Sequence, residues 1–165
     1  MSAQIIRAAT AADLPAILAI HNDAILNTLA IWQYEAVPLA NREAWFADRN
    51  AKGQPILVAE IGGEVAGYAS YGDFRHGAGY ANTVEDSIYV RADLRGRGIA
   101  RALMAPLIDH ARAAGRHVMV GAIGLPNAPS VALHAAFGFV EIGTLREIGW
   151  KNGAWLDLKM MQKTL

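Results

Sequence analysis

Residues Glu85 to Arg101, EDSIYVRADLRGRGIAR, decide how this chain folds. Ser87-Ile88-Tyr89-Val90 is β-branched and aromatic, the composition of a strand. Arg91-Ala92-Asp93-Leu94 interrupts it, and Arg95-Gly96-Arg97-Gly98-Ile99-Ala100 opens a helix expected to run to about Gly115. The first turn of a helix has N–H groups without intrahelical partners and carries the positive end of the helix dipole. A glycine-rich start leaves those groups accessible to an anion, most usefully a pyrophosphate. Arg95, Arg97 and Arg101 bring positive charge to the same place.

Working outward, the helix after Gly98 is expected to bury Ile99, Leu103, Leu107 and Ala111 and to kink at its interior Pro106. Upstream, Gln4 to Ala8 reads as a strand. Thr10 and Asp13 form an N-terminal helix signal, and the apolar spacing of Leu14, Ile17, Leu18, Ile20 and Ile25 carries that helix to about Leu29. Pro38 to Ala51 is a second helix. Pro55 to Ile61 and Glu64 to Tyr71 are strands joined at Gly62-Gly63, an antiparallel hairpin because two residues cannot make a parallel crossover. Gly72 to Tyr80 is a loop, after which the chain enters the central strand through Thr83-Val84-Glu85. Downstream, His117 to Ile123 is near-continuously apolar, the character of a strand covered on both faces. Asn127 caps a short helix, Ala128 to Phe137. Phe139 to Ile142 is a strand, Asn152-Gly153 a hairpin turn, and Leu156 to Met161 the last strand. The order is strand, two helices, three strands, helix, strand, helix, two strands. This is α+β with a mostly antiparallel sheet.

At 165 residues the chain fits one domain, residues 1–165. Its 15 basic and 15 acidic residues cancel, so nothing in the charge points to nucleic acid. With no cysteine, disulfides, thiolate metal sites and a cysteine nucleophile are excluded. The histidines show no metal spacing, so no metal is expected. Met1 to Gln4 lacks a basic, apolar secretion signal, and no apolar run reaches membrane-spanning length, so a cytoplasmic protein without a membrane partner is expected.

Three readings compete for the glycine turn. A dinucleotide fingerprint needs G-x-G-x-x-G after an early strand, but Gly96 and Gly98 are followed by Arg101. A Walker loop has no matching string. A bare structural turn remains. Against that, Arg95-x-x-Gly98-x-Ala100 resembles the acyl-CoA pyrophosphate loop of the GNAT N-acetyltransferases, Q/R-x-x-G-x-G/A. The strand Asp86 to Val90 stands before it. Asn127-x-x-Ser130-x-x-x-His134-x-x-x-Gly138-Phe139 follows and matches that family's second motif, with His134 where a tyrosine is common. The resemblance covers nearly the whole chain. It is closer to the phosphinothricin and methionine sulfoximine acetyltransferases through Ala30-Ile31-Trp32, Asn41-Arg42, Tyr68 to Arg75, Thr83-Val84-Glu85, His117 to Val120 and Trp155 to Leu158. Phe74 departs from the tryptophan common in that branch.

The resemblance implies a GNAT (acyl-CoA N-acyltransferase) fold, a mixed, mostly antiparallel sheet flanked by helices, and acetyl-CoA as co-substrate. It implies direct transfer of the acetyl group to the amino group of a small amino-acid-like acceptor, of the phosphinothricin, methionine sulfoximine or methionine sulfone type. The pantetheine arm is expected beside Ile88, Tyr89 and Val90, with Ile88 or Tyr89 offering an N–H to the oxyanion. Arg95, Gly96, Arg97, Gly98, Ile99, Ala100 and Arg101 are expected to hold the pyrophosphate, and Asn127 the arm. Glu85 is the candidate base, with Asp86 as its alternative, and His134 the proton donor to the departing thiolate. Asp73, Phe74, Arg75, Thr83, Val84 and Glu85 are the candidate acceptor-binding residues. Trp32 is expected to reach a neighbouring subunit's pocket in a homodimer, and Lys151 and Trp155 to contribute from the C-terminal hairpin. The alternatives are a GNAT enzyme acting on another amine or a protein N-terminus, and a non-catalytic acyl-CoA-binding sensor.

Overall fold

In the computed structural model, which describes residues 4–165, the alternating strands assemble into one seven-stranded sheet with order β1-β2-β3-β4-β5-β7-β6. The elements are β1 (Gln4–Ala8), α1 (Leu14–Asn27), α2 (Leu39–Ala51), β2 (Ile56–Ile61), β3 (Glu64–Asp73), β4 (Thr83–Val90), α3 (Ile99–Ala113), β5 (Val118–Gly124), α4 (Ala128–Ala136), β6 (Val140–Lys151) and β7 (Ala154–Thr164). Every neighbouring pair is antiparallel except β4 and β5. The α+β expectation therefore agrees with the structure. The reading of Met1 to Ala3 as free of a leader falls outside the described residues. No described helix is long and apolar enough to cross a membrane.

Both sheet faces are covered. On one, α3 lays down Ile99, Leu103, Leu107 and Ala111, the four residues its spacing selects, all fully buried. They pack with Met104 and Ile108 against Ala66, Ala69, Tyr71, Val84, Met119 and Ile123. On the other, Leu14, Ile17 and Ile20 of α1 pack on Ile56, Val58, Val65 and Tyr68, with Trp45 and Phe46 of α2 at the margin. Burying a Leu or Ile side chain of this kind contributes about 1.5–3 kcal/mol, so these two layers fix the sheet between them. α3 continues through Pro106 without a break. Thr10 caps the N-terminal helical segment as its sequence suggests: its N–H donates to the Asp13 carboxylate at 2.7 Å, and a single 3-10 turn, Ala11–Asp13, leads into α1.

The C-terminal region departs from expectation. The strand expected over Phe139 to Ile142 is in fact β6, reaching Lys151. Its pairing with β7 slips twice, between Glu141 and Gly143 and between Leu145 and Gly149, and Glu147 has φ 51°. Such bulges break the alternation that reveals a strand. The turn at Asn152-Gly153 is present, with φ values of 51° and 78°, as a tight I′ hairpin requires. It returns β7 between β5 and β6, so the last strand in sequence lies inside the sheet.

Candidate active site

The single parallel contact is short. β4 and β5 pair only through Thr83–Val118, Val84–Met119 and Glu85–Val120, yet β4 continues to Val90 and β5 to Gly124. Beyond Glu85 the two strands part. Along its other edge β4 stays bonded to β3 up to Val90. Phe74 N–H donates to the Thr83 carbonyl (3.4 Å) and Arg91 N–H to the Ala66 carbonyl (2.9 Å), so the odd-numbered residues face β3. In an antiparallel ladder that direction alternates. Asp86, Ile88 and Val90 therefore turn their N–H and C=O groups toward the gap. This geometry selects Ile88, not Tyr89, as the strand N–H available to an oxyanion. Tyr89 bonds β3 and packs its ring near Tyr68, at 5.5 Å between centroids.

At the far end of the gap Gly98 takes φ 80°, the left-handed conformation that glycine adopts without strain, and caps α3. The first intrahelical bond is Ala102 N–H to the Gly98 carbonyl at 3.0 Å. Among the described residues, no acceptor is found for the N–H groups of Gly98, Ile99, Ala100 and Arg101. Gly96, Arg97 and Gly98 are exposed beside them. The expected anion cradle is thus open. Arg95 is less free than expected, because its Nε donates to the Val90 carbonyl (3.2 Å) and its Nη2 to Asp23 of α1 (2.8 Å). Arg101 lies over the Phe137 ring at 5.4 Å. Asn127 caps α4 by accepting from Ser130 N–H at 3.2 Å.

Side chains alternate too. Val84, Ile88 and Val90 belong to the α3 face, whereas Tyr89 packs with the α1 and α2 side. Glu85 shares the face of Tyr89, and Asp86 the opposite one. Burial raises the Glu85 carboxyl above the usual carboxylate range, Asp86 adds repulsion, and Arg75 partly offsets both. A partly buried carboxylate with a raised pKa is suited to take a proton near neutral pH. Around it, His21 Nδ1 lies 3.0 Å from the Tyr68 hydroxyl, and burial, then the nearby Arg42 charge, lower His21 to about 4. Burial pushes the Tyr89 hydroxyl up to about 12.

Two residues near Glu85 are not among the candidate acceptor-binding residues, Arg42 and Arg49, seven apart on α2 and so on one helix face. Burial lowers the Arg42 guanidinium, which lies 4.8 Å over Trp45 and bonds Asn41 without a carboxylate partner among the described residues. Arg49 rests its guanidinium on Gly72, the cross-strand partner of Glu85, where any Cβ would collide with it, and its buried Nε has no hydrogen-bond partner. The spacing of seven was the only available signal. Arg49 also donates to the neighbouring Asp48 carboxylate at 3.0 Å, so of the two only Arg42 lacks a carboxylate beside it; guanidinium groups facing a glutamate make a place for an acceptor's acidic group.

The remaining candidate residues have defined contacts. Asp73 accepts from Gln54 (2.6 Å) and pairs with Lys52 (3.1 Å). The Trp32 indole donates to the Leu29 carbonyl at 3.0 Å, and its ring lies on Gly124 and Gly149 of the same chain. Lys151, only 2% exposed, serves the end of α1, donating to the carbonyls of Ile25, Thr28 (2.8 Å) and Ile31 (2.6 Å). Trp155 is exposed and stacks edge-on against Trp150. His134 is buried with Nδ1 2.7 Å from the Ser130 carbonyl and Nε2 3.1 Å from Asp86, so both nitrogens have partners in the folded chain. The same contact occupies Asp86. Phe74 packs edge-on against Tyr80, with Arg75 over its ring at 5.2 Å, and Thr83 and Val84 lie on the rungs leading to Glu85.

The sequence model of the Acetyltransferase (GNAT) family matches residues 17–139. An L-methionine sulfoximine/L-methionine sulfone acetyltransferase from Pseudomonas aeruginosa is 55% identical, over 100% of this chain and 96% of its own length. A solved ribosomal-protein-alanine N-acetyltransferase from Brucella melitensis superposes with TM-score 0.96 at 53% identity, covering 98% of this chain and 99% of that one. A GNAT superfamily phosphinothricin acetyltransferase from Sinorhizobium meliloti, solved in complex with AcCoA, gives TM-score 0.96 at 37% identity, covering 100% of this chain and 89% of that one.

Proposed function

This chain belongs to the acetyltransferase (GNAT) family, and from that premise we propose that it moves the acetyl group of acetyl-CoA onto the amino group of a small amino-acid-like acceptor. Methionine sulfoximine, methionine sulfone and phosphinothricin are the acceptor types, as in the similar enzymes. The observation that carries the reading is the fork in the sheet. Ile88 turns open main-chain groups into it and Val90 its N–H, a helix start with unpaired N–H groups lies at its end, and a raised Glu85 carboxyl stands at its root. These residues fit acetyl-CoA, whose thioester supplies the activated acetyl group.

In the mechanism, Ile88 and Val90 hold the pantetheine arm by main-chain bonds, as an added strand is held. The N–H groups of Gly98 to Arg101 hold the pyrophosphate, with Arg97 adding charge. The Ile88 N–H polarises the thioester carbonyl. Glu85 removes a proton from the acceptor's ammonium, directly or through water, because an ammonium has no lone pair for attack; the freed amine would then bond to the thioester carbon, the C–S bond would break, and CoA would leave as a thiolate that takes a proton from solvent. Arg42, Arg49 and Arg75 receive the acceptor's acidic groups from the same face. Asn127 orders the start of α4 beside the arm.

We also propose a homodimer. β6 is an edge strand whose Val140, Ile142, Leu145, Ile148 and Trp150 are all exposed, more apolar side chain than an edge strand normally shows to water. Sedimentation equilibrium tests this directly: a monomer mass at micromolar concentration would refute it.

The assay is thiol release from acetyl-CoA across methionine sulfoximine, methionine sulfone, phosphinothricin, free amino acids and an alanine-terminated peptide. Turnover of the first three, abolished by Glu85→Gln, supports the proposal. The name of the Brucella relative favours a second reading, a protein N-terminus as acceptor. Faster turnover of the peptide than of any amino acid would establish that instead. Tight CoA binding without turnover on the panel would make the chain an acyl-CoA sensor.

A further inference from the structure

Asp86 and His134 meet at the rung where the sheet divides. Nε2 and Oδ2 are 3.1 Å apart, and the two side chains are 6% and 2% exposed. Nδ1 faces the Ser130 carbonyl, which can only accept, so Nδ1 carries a proton. Burial works against a charged ring, but the Asp86 contact and the Ser130 carbonyl outweigh it and raise His134 overall. Nε2 and the Asp86 carboxyl make a buried, hydrogen-bonded acid–base pair.

Its place is specific. Glu85–Val120 is the last rung between β4 and β5. The next residues on each strand are Asp86 and Gly121. A Cβ on Gly121 would stand 2.6 Å from His134 Cδ2, 2.7 Å from Nε2 and 3.4 Å from Asp86 Oδ1. The imidazole of α4 therefore crosses β5 over a bare backbone to reach β4. Phe139 holds the ring from its far side, edge-on at 4.9 Å. A continuing ladder would bring the strands to about 4.8 Å along this edge. The pair stands where that approach would otherwise go on.

A buried ion pair is seldom worth more to stability than well-packed apolar groups, and its best-attested use is to fix one arrangement among several. We propose that Asp86, acting through His134, is a positioning residue for acyl-CoA. The two side chains form a strut on Gly121 that sets where β4 leaves β5, and so where the open groups of Ile88 and Val90 stand. This rests on the reading that the pantetheine arm lies in the fork.

The test uses the full-length enzyme. Asp86→Ala raises the KM for acetyl-CoA about tenfold, while kcat at saturation and the acceptor KM stay within about threefold, since Glu85 faces the other side. Asp86→Asn keeps an oxygen for the Nε2 proton and recovers most of the affinity. Gly121→Ala drives the ring off its seat and reproduces Asp86→Ala. Lys151→Met, a destabilising change remote from the fork, leaves the acetyl-CoA KM alone. An unchanged KM in Asp86→Ala despite a lower Tm, or an equal rise in Lys151→Met, would overturn the strut. Amide NMR of the wild-type enzyme titrated with CoA separates the two levels. If Ile88 and Val90 do not shift, the reading of the fork fails and the strut with it. If they shift, yet Asp86→Ala binds CoA like wild type, only the strut fails.

Discussion

Lys151→Met isolates what a buried ammonium does in this fold. All three Nζ protons are used, on the carbonyls of Ile25, Thr28 (2.8 Å) and Ile31 (2.6 Å), at the C-terminal end of α1 where the helix dipole favours a cation. Methionine keeps the reach and apolar stem of lysine and loses the charge. Each carbonyl left without a partner costs about 1–3 kcal/mol. Relief of the ammonium's own desolvation, several kcal/mol, offsets part of that. We expect a net loss of about 3 kcal/mol, weighing these terms. For a chain of this size each kcal/mol lowers Tm by about 2–4 °C, so Tm falls by about 6–12 °C. Calorimetry gives that shift, and urea unfolding checks it through a lower midpoint with an unchanged slope. Steady-state kinetics on the folded variant should return wild-type KM values. A Tm within about 2 °C of wild type would refute the clamp. A large rise in acceptor KM without a Tm loss would return Lys151 to the substrate site.

Glu85→Gln is expected to lower kcat about 10²–10⁴-fold with CoA affinity unchanged, measured by thiol release and calorimetric titration. In the wild type, kcat/KM rises with pH through a Glu85 pKa held above the usual carboxylate value by burial and by Asp86, and the glutamine variant lacks that limb. His21 sets a stability slope. Its folded value is about 4 against 6.5, so as pH falls from 6.5 to 4 the unfolded chain takes up a proton that the folded one refuses. Stability drops by about 3 kcal/mol across that window, at about 1.36 kcal/mol per pH unit, and is unaffected above it. Urea unfolding at intervals across it should show the slope flattened in His21→Gln. Gly149→Ala drives a methyl group into the Trp32 ring, and a melting curve should report about 1–3 kcal/mol lost.

The layers of this fold could be read because they rest on periodicity. Ile99, Leu103, Leu107 and Ala111 declare the buried face of α3 by spacing alone, and the hairpin turns at Gly62-Gly63 and Asn152-Gly153 declare themselves by residue type. What could not be read depends on the partner across a gap. Three rungs join β4 to β5 and then stop, and no local pattern within either strand marks the stopping point. Asp73 and Glu85 are both acidic residues beside the central strand, but only the folded chain shows one spent on Lys52 and Gln54 and the other left to face arginines. Lys151 reads from the sequence as a contributor to the acceptor site, and its place under the end of α1 is not legible there because its acceptors are carbonyls, which have no sequence signature. Gly121 and Gly149 carry no local mark in their strands, yet each is a seat for a ring from elsewhere.

The interior position of β7 has a consequence for how the molecule is made. A ribosome that has delivered everything through Gly153 has delivered six of the seven strands, yet β5 still lacks its second neighbour and β6, which pairs with β7, has none. Lys151 meanwhile must find carbonyls 120 to 126 residues behind it. Vectorial synthesis therefore cannot finish this sheet piecemeal. The nascent chain carries an open strand edge until its last strand emerges, an edge able to pair with another chain. Products cut short before β7 are substrates for chaperones and proteases rather than partial enzymes, and release of the final strand is the event that closes the fold.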